Sequence, residues 1–235
     1  MQPSERLIVA LDVPERERAL ALAKQLAGAV GMVKVGLEAF VAHGPALVTS
    51  LVQEGHHVFL DLKLNDIPRT VAASAREAAR LGAAFLTVHA SGGSDMMRAA
   101  VEAAQGTRVI AVTLLTSLDD AAARAVGFAG GMRASVERLG KLATHSGAHG
   151  LVCSAHELTV LAPLGGLRVV PGIRTRAVDD DDQKRTASAA EAVALGATYI
   201  VVGRPIIEAP DPRAAAEAIV AGMMGEGGGH TQSAR

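Results

Sequence analysis

The sequence predicts an α/β fold, a closed parallel eight-stranded (β/α)8 barrel of the TIM type. Eight short apolar runs alternate with helical stretches, and no change in composition divides the 235 residues into two domains. Charged and hydroxyl side chains fall mainly where the predicted strands end, and the strand ends of a barrel converge on one mouth. The alternative is a doubly wound open sheet, which would spread the same side chains along an edge.

The elements follow from the periodicity of the apolar residues. The predicted strands are residues 7–12, 32–36, 57–63, 84–89, 108–113, 150–153, 167–170 and 199–202. The first predicted helices are residues 14–28, 37–55 and 67–81, and a fourth contains Arg98. The segment 119–148 is predicted to hold a short helix and then a longer one over 133–146. The last predicted helices are 156–161, 186–195 and 211–223. We predict a single domain over residues 1–222 and a disordered tail over 223–235, because the glycine-rich end lacks apolar residues for packing.

Composition excludes several classes of protein. Hydrophobic residues make up 49% of the chain and aromatic residues 2%, which predicts an aliphatic core. A net charge of −1 gives no broad basic surface for nucleic acid. The single Cys153 excludes an internal disulfide and suits a reducing cytoplasm. The N-terminus becomes charged too early for a signal peptide, and no apolar run of about 18 residues could span a membrane.

The most informative stretch is residues 59–70, FLDLKLNDIPRT. Asp61 and Lys63 end an apolar strand and would share a face if the strand continues through Lys63. Asp66 follows the strand, and Pro68 suits the first turn of the next helix. A strand-end ion pair with a helix cap would explain two charges. The third charge at fixed spacing favours a functional site.

An anion site is predicted where the last two strands end. Arg174 follows the seventh strand and Gly203-Arg204 follows the eighth, which is the usual place for phosphate on this fold. Glycine lets backbone N–H groups approach an anion, and arginine binds it with a fork of donors. The loop 175–183 is long and polar enough to be a lid, and Gln183 could reach the ligand. The alternative is two surface arginines beside turns.

Other strand ends carry weaker signals. Thr116 and Ser117 could bind the edge of a heterocycle, although Thr-Ser also begins helices. Asp12 could bind sugar hydroxyls, cap the helix predicted from residue 14, or do both. Lys34 lies inside the second strand. His89 could be a ligand or a base, but we interpret it as a histidine whose hydrogen bonds are satisfied within a turn.

A set of short motifs occurs in a specific order: LDVP at 11–14, VKVG at 33–36, DLKLNDIPRT at 61–70, VHASGG at 88–93, LTS at 115–117, PGIR at 171–174, DQ at 182–183 and GRPI at 203–206. Over about residues 6–220 this set resembles the orotidine 5′-phosphate decarboxylase family, in its shorter bacterial type. Asn65 stands where that family commonly has His, and Arg69 where it commonly has Asn, so local loop contacts are expected to differ.

The resemblance implies an activity and an assembly. The implied enzyme is a homodimer that converts orotidine 5′-monophosphate to UMP and CO2 in de novo pyrimidine biosynthesis, without metal or organic cofactor. It implies catalytic roles for Lys34, Asp61, Lys63 and Asp66, with Lys63 as the proton donor to C6 of the pyrimidine ring. Asp66 and Thr70 would reach the active site of the partner subunit. The implied substrate-binding residues are Asp12 and Lys34 for the ribose, Asp61 and Thr70, Thr116 and Ser117 for the pyrimidine, and Arg174, Gln183, Gly203 and Arg204 for the phosphate.

Three alternatives remain open, and the most general is a phosphate-binding barrel of unknown substrate, which is what the residues indicate without the resemblance. A Mg²⁺-dependent sugar-phosphate decarboxylase or aldolase on a related barrel also uses an Asp-x-Lys-x-x-Asp element, but it needs further carboxylates at neighbouring strand ends. Glu38 and Asp95 lie too far past their strands to fill that need. A non-catalytic barrel that binds nucleotide phosphates is the third alternative. Binding alone does not require four buried charges at this spacing.

Overall fold

The computed structural model describes residues 1–173 and 187–223. In this part of the chain eight parallel strands form a closed barrel, in which each strand pairs with the next and β8 pairs with β1. The strands are β1 (Leu7–Ala10), β2 (Met32–Gly36), β3 (Val58–Leu64), β4 (Phe85–His89), β5 (Arg108–Val112), β6 (Gly150–Val152), β7 (Leu167–Val170) and β8 (Tyr199–Val202). The predicted barrel is therefore confirmed, and the open sheet is excluded.

Helices surround the barrel and connect its strands. They are α1 (Arg16–Leu26), α2 (Leu37–Gln53), α3 (Pro68–Arg80), α4 (Ser94–Ala103), α5 (Asp120–Ala125), α6 (Gly131–His145), α7 (Leu158–Leu161), α8 (Ala189–Ala194), α9 (Arg204–Ile207) and α10 (Pro212–Met223). Predicted and observed ends differ by a few residues, and the sequence did not indicate α9. Across the described ranges, no helix has the length and apolar character needed to cross a membrane.

The two ranges outside the description, 174–186 and 224–235, contain several of the predicted features. The lid prediction for 175–183 lies there, as do Arg174 and Gln183. Most of the predicted tail lies there too. The first residue of that predicted tail, Met223, ends α10 as a buried side chain that packs against the core.

The core has two layers, as alternating side chains of a barrel require. One layer fills the space between strands and helices. The other fills the barrel interior, where Phe85 packs edge-on against Phe59 and Tyr199, with ring centroids 5.8 Å and 5.3 Å apart. The interior layer contains Ile8, Ala10, Phe59, Phe85, Ile110, Val112, Val152, Val169, Tyr199 and Val201. These side chains form an apolar floor beneath the mouth of the barrel.

The same alternation selects which polar side chains enter the barrel. Val33 and Val35 pack outward in the layer beneath the helices, so Lys34 between them points inward. Phe59 points inward, and Asp61 two residues later occupies the next level toward the mouth. Polar groups therefore begin directly above the aromatic floor.

Candidate active site

Four predicted site residues form a chain of alternating charge at the mouth of the barrel. Lys63 Nζ lies 2.8 Å from Asp61 Oδ2, Lys34 Nζ lies 3.7 Å from the same oxygen, and Lys34 Nζ lies 3.3 Å from Asp12 Oδ1. Exposure of the side chains rises from 11% at Lys34 and 13% at Asp61 to 29% at Lys63 and 43% at Asp12. The inner charges are thus shielded from water, where Coulomb interactions are stronger.

Asp12 takes part in this chain and does not cap the following helix. The helix begins at Arg16, after Glu15, so Asp12 lies too early in the sequence to act as its cap. Gly36 leaves space for the pair that Asp12 makes instead, because a Cβ at Gly36 would lie 2.8 Å from Lys34 Nζ and 2.9 Å from Asp12 Oδ1. The capping interpretation of Asp12 was therefore wrong.

Strand β3 is irregular where it carries the reactive pair. It pairs Leu60 with Leu86 and then Leu64 with Val88, so three residues of β3 lie opposite one residue of β4. Lys63 has φ of 50°, a left-handed conformation that costs a residue with a side chain about 1–2 kcal/mol. The expected contact of Asp61 with Lys63 is confirmed, and strand alternation is kept through the bulge, because Leu60, Leu62 and Leu64 all pack in the outer layer of the core.

Thr87 is a residue of the site that the sequence did not indicate. It is fully buried on β4. Its hydroxyl accepts a hydrogen bond from the Lys63 backbone N–H at 2.8 Å and donates one to Asp61 Oδ1 at 2.9 Å. A single threonine in a β-strand is ordinary, because β-branched residues favour strands. Only the tertiary pairing of β3 with β4 gives this hydroxyl its partners.

The surroundings of Asp61 favour its charged form. Burial by itself raises the pKa of Asp61, but the charges of Lys34 and Lys63 and the hydrogen bonds from Lys63 and Thr87 together outweigh it, and the pKa lies below its ordinary value. Asp61 is therefore ionised at neutral pH and carries the negative charge between two ammonium groups.

His89 ends β4 on the inner face, two residues beyond Thr87, with a half-buried ring. Burial, and then the positive charge of Lys63, lower the pKa of His89, and the charge of Asp61 opposes them only in part. The imidazole is thus neutral at pH 7 and adds no third positive charge to the mouth.

Replacing Asp61 with Asn is expected to lower the free energy of unfolding by about 2 kcal/mol at pH 7, because two partly buried lysines lose their shared partner. The pKa of Asp61 is depressed in the folded state, so its stabilisation is present above about pH 4 and is lost as the pH falls through the folded-state value. Denaturant unfolding of parent and variant at pH 7 and pH 3 should therefore show a difference that shrinks in acid.

The matched control for this measurement is Asp95→Asn, which removes an exposed carboxylate 3.6 Å from Arg98. Such surface pairs contribute about 0–1 kcal/mol. A difference between parent and Asp61→Asn that is equally large at both pH values would contradict the assignment of the stabilisation to ionised Asp61.

Asp66 and Thr70 do not join the charge chain of their own subunit. Both are exposed, beside the start of α3. Asp66 Oδ1 accepts a hydrogen bond from the Ile67 backbone N–H at 2.6 Å. Within the described residues, Asp66 forms no ion pair with Lys34 or Lys63. A role for Asp66 and Thr70 in catalysis therefore depends on a second chain.

The remaining predicted residues surround the mouth. Thr116 and Ser117 form a turn three residues beyond the end of β5, with Thr116 half-buried and Ser117 exposed. Gly203 follows β8 and precedes α9, and the exposed Arg204 begins that helix. The positions of Arg174 and Gln183, which were expected to complete the phosphate site, lie in the range that is not described.

The described residues offer no grouping of metal ligands. Over residues 1–173 and 187–223, no three His, Cys, Asp or Glu side chains lie together as a metal site would require. Glu38 is exposed on α2, and Asp95 pairs with Arg98 on α4. Neither carboxylate is part of the charge chain.

Comparisons with known proteins agree with this architecture. The model of the orotidine 5′-phosphate decarboxylase / HUMPS family matches residues 5–219. The orotidine 5′-phosphate decarboxylase of Anaeromyxobacter dehalogenans (strain 2CP-1) is 55% identical over 227 residues, which cover 95% of this chain and 100% of the relative. That of Thermobifida fusca (strain YX) is 48% identical and covers 94% of this chain and 97% of the relative.

A solved structure shows the same fold. The crystal structure of orotidine 5′-phosphate decarboxylase from Lactobacillus acidophilus superposes with a TM-score of 0.82 at 39% identity, over 92% of this chain and 98% of the other. The match thus extends over both the sequence motifs and the barrel that carries the charge chain. This chain belongs to the orotidine 5′-phosphate decarboxylase / HUMPS family.

Proposed function

We propose that this protein decarboxylates orotidine 5′-monophosphate to UMP and CO2, as a cytoplasmic step of pyrimidine biosynthesis that needs no metal or organic cofactor. The observation that carries the proposal is the Asp12–Lys34–Asp61–Lys63 chain at the barrel mouth. Relatives at about half identity or above bear the name of this activity. The barrel mouth is where enzymes of this fold place their chemistry.

The reaction needs a cation beside the reacting carbon. When the bond from C6 to the carboxylate breaks, CO2 leaves and the electron pair stays on C6. The largest enzymatic accelerations, on the order of 10¹⁷ or more, correspond to about 23 kcal/mol. A fixed ammonium group is stabilising beside that developing charge, and Lys63 then donates a proton from Nζ to C6 and regains one from solvent.

Asp61 has two parts in this scheme. Its carboxylate is 2.8 Å from Lys63 Nζ and holds the ammonium group in position before the reaction. A substrate carboxylate that binds against Lys63 also lies near Asp61, and this repulsion is relieved when CO2 departs. Both effects require Asp61 to be ionised, as its lowered pKa provides.

The rest of the mouth would hold the non-reacting parts of the substrate. Asp12 and Lys34 suit the ribose hydroxyls, and the turn at Thr116 and Ser117 suits the pyrimidine edge. Phosphate would bind where β8 ends, at Gly203 and Arg204, together with Arg174 and Gln183. Because the phosphate is far from C6, its binding energy can orient the ring without changing during the reaction.

The active form in this proposal is a homodimer. Leu37, Val41 and Ile67 are exposed apolar side chains, at 52%, 80% and 65%, at the start of α2 and before α3. They lie near the ends of the neighbouring strands β2 and β3, on the side of the barrel that carries Asp66. A second copy that covers these side chains would bring its own Asp66 and Thr70 toward the mouth.

A spectrophotometric assay tests the proposed activity. Purified protein is expected to convert orotidine 5′-monophosphate to UMP, followed as the change in ultraviolet absorbance, with the same rate before and after dialysis against EDTA. The alternative Mg²⁺-dependent sugar-phosphate chemistry predicts no conversion of this substrate. Activity that EDTA abolishes and Mg²⁺ restores would contradict the cofactor independence.

A further inference from the structure

We propose that Thr87 is a positioning residue for the reaction, whose hydroxyl holds the bulge of β3 in the conformation that presents Asp61 and Lys63 to the substrate. This inference rests on the proposed function, because that function makes Lys63 the proton donor. Thr87 does not touch the reacting atoms in this scheme. It acts through the two residues that do.

The pairing of β3 with β4 places Thr87 opposite the bulge. Leu60 pairs with Leu86 and Leu64 with Val88, which leaves residues 61–63 on one strand facing residue 87 on the other. Three residues that face one cannot all form the regular backbone hydrogen bonds between β3 and β4. The Lys63 N–H donates instead to Thr87 Oγ1, at 2.8 Å. One side chain of β4 therefore replaces the missing backbone partner.

The same hydroxyl reaches the carboxylate. Thr87 Oγ1 donates to Asp61 Oδ1 at 2.9 Å, while Asp61 Oδ2 faces Lys63 Nζ at 2.8 Å. The two oxygens of Asp61 are thus held on separate sides, which fixes the rotation of the carboxylate. Thr87 accepts from the backbone of the proton donor and donates to the side chain of its partner, so one hydroxyl couples both residues.

Other buried threonines of the barrel do not share this arrangement. Thr107 Oγ1 donates to the Ala83 carbonyl, and Thr113 Oγ1 donates to the Val152 carbonyl. In each case the partner is a backbone carbonyl of a neighbouring strand or of the segment before it. Thr87 instead bonds to Lys63, which has a positive φ, and to Asp61, the carboxylate shared by two lysines.

Thr87→Val tests the role, because valine keeps the shape of the side chain and removes the hydroxyl. We expect kcat for orotidine 5′-monophosphate to fall about 10- to 100-fold, the range for loss of a hydrogen bond to a charged group. KM and the Kd for UMP should stay within about threefold, because groups that bind substrate are unchanged. Thr87→Ser retains the hydroxyl and should restore kcat to within about fivefold of the parent.

The matched control is Thr107→Val, which removes another buried hydroxyl at the opposite end of the barrel, next to the start of β5. It is expected to lower the melting temperature without changing kcat. If Thr87→Val does not fold, Thr87→Cys provides the same comparison, because a thiol has similar size but is a weak donor and acceptor. Equal losses of kcat in the Thr87 and Thr107 variants would overturn the proposal.

A second readout does not depend on turnover. The ¹³C NMR titration of the Asp61 carboxyl should show a higher pKa in Thr87→Val than in the parent, and a parent-like pKa in Thr87→Ser and Thr107→Val. The charged and titratable groups around Asp61 are Asp12 on the β1 side, Lys34 on β2, Lys63 on β3 and His89 on β4, and all of them stay in place in these variants.

The two readouts separate this proposal from the proposed function. A parent protein that does not act on orotidine 5′-monophosphate would refute the function, while a raised Asp61 pKa in Thr87→Val would still show that Thr87 holds the carboxylate. With an active parent, a Thr87→Val variant that keeps kcat within threefold, or an Asp61 pKa that does not move, overturns the positioning role of Thr87.

Discussion

Lys63→Ala is expected to lower kcat for orotidine 5′-monophosphate by about 10⁵-fold or more, from the combined loss of a fixed cation and a proton donor. The Kd for UMP should stay within about tenfold of the parent, because the ribose and phosphate are held elsewhere in the proposed site. Asp61 keeps Lys34 at 3.7 Å as a partner, so the barrel is expected to fold. Steady-state turnover and calorimetric titration with UMP measure the two quantities.

Lys141→Ala is the matched control for this prediction. Lys141 is an exposed lysine on α6 that pairs with Glu137 at 2.6 Å, away from the mouth. Its replacement removes the same charge and should leave kcat unchanged. A Lys63→Ala protein whose turnover is within tenfold of the parent would refute the role of Lys63. A large loss of UMP affinity would instead point to a binding role.

Strand periodicity was sufficient to predict the inner face of the site. Lys34 lies between Val33 and Val35, and a strand that buries both valines outward has to turn the lysine inward. The parallel barrel then brings the ends of β2 and β3 together, so Lys34 and Asp61 meet although they are distant in sequence. These inferences need only a period of two and the closure of the barrel.

The bulge of β3 could not be predicted in the same way. Its existence depends on where β4 pairs, and nothing in the residues between Leu60 and Leu64 indicates a positive φ at Lys63. The role of Thr87 follows only once that bulge is known, because its partners are created by the bulge. Local sequence therefore located the charges, and tertiary pairing determined how they are held.

Asp66 shows a different limit of prediction from the sequence, because the site that it is proposed to complete belongs to another chain. The sequence placed it just after β3, and the structure leaves it exposed beside Ile67, without an ion pair to Lys34 or Lys63 among the described residues. A carboxylate needed for catalysis within its own subunit would be expected to lie against those lysines. Its exposure fits a contribution to the site of a partner.

Asp66→Ala is accordingly expected to lower kcat by about 10²- to 10³-fold, because the partner's Lys63 loses a nearby carboxylate that holds its ammonium group in position. Asp95→Ala, which removes an exposed carboxylate of α4, is the control and should keep parent turnover. Steady-state assays of both variants measure the effect. Equal turnover in the two variants would contradict a catalytic role for Asp66.

Mixed dimers determine which subunit Asp66 serves. When Lys63→Ala and Asp66→Ala chains are co-expressed equally, half of the dimers are mixed, and each contains one site with Lys63 from one chain and Asp66 from the other. Activity should then return to about a quarter of the parent value in a symmetric dimer. Lys63→Ala mixed with Asp61→Asn should not recover, because both residues belong to the site of their own chain. If the mixture of Lys63→Ala and Asp66→Ala chains also fails to recover activity, Asp66 acts in its own subunit, because neither site of the mixed dimer is then complete.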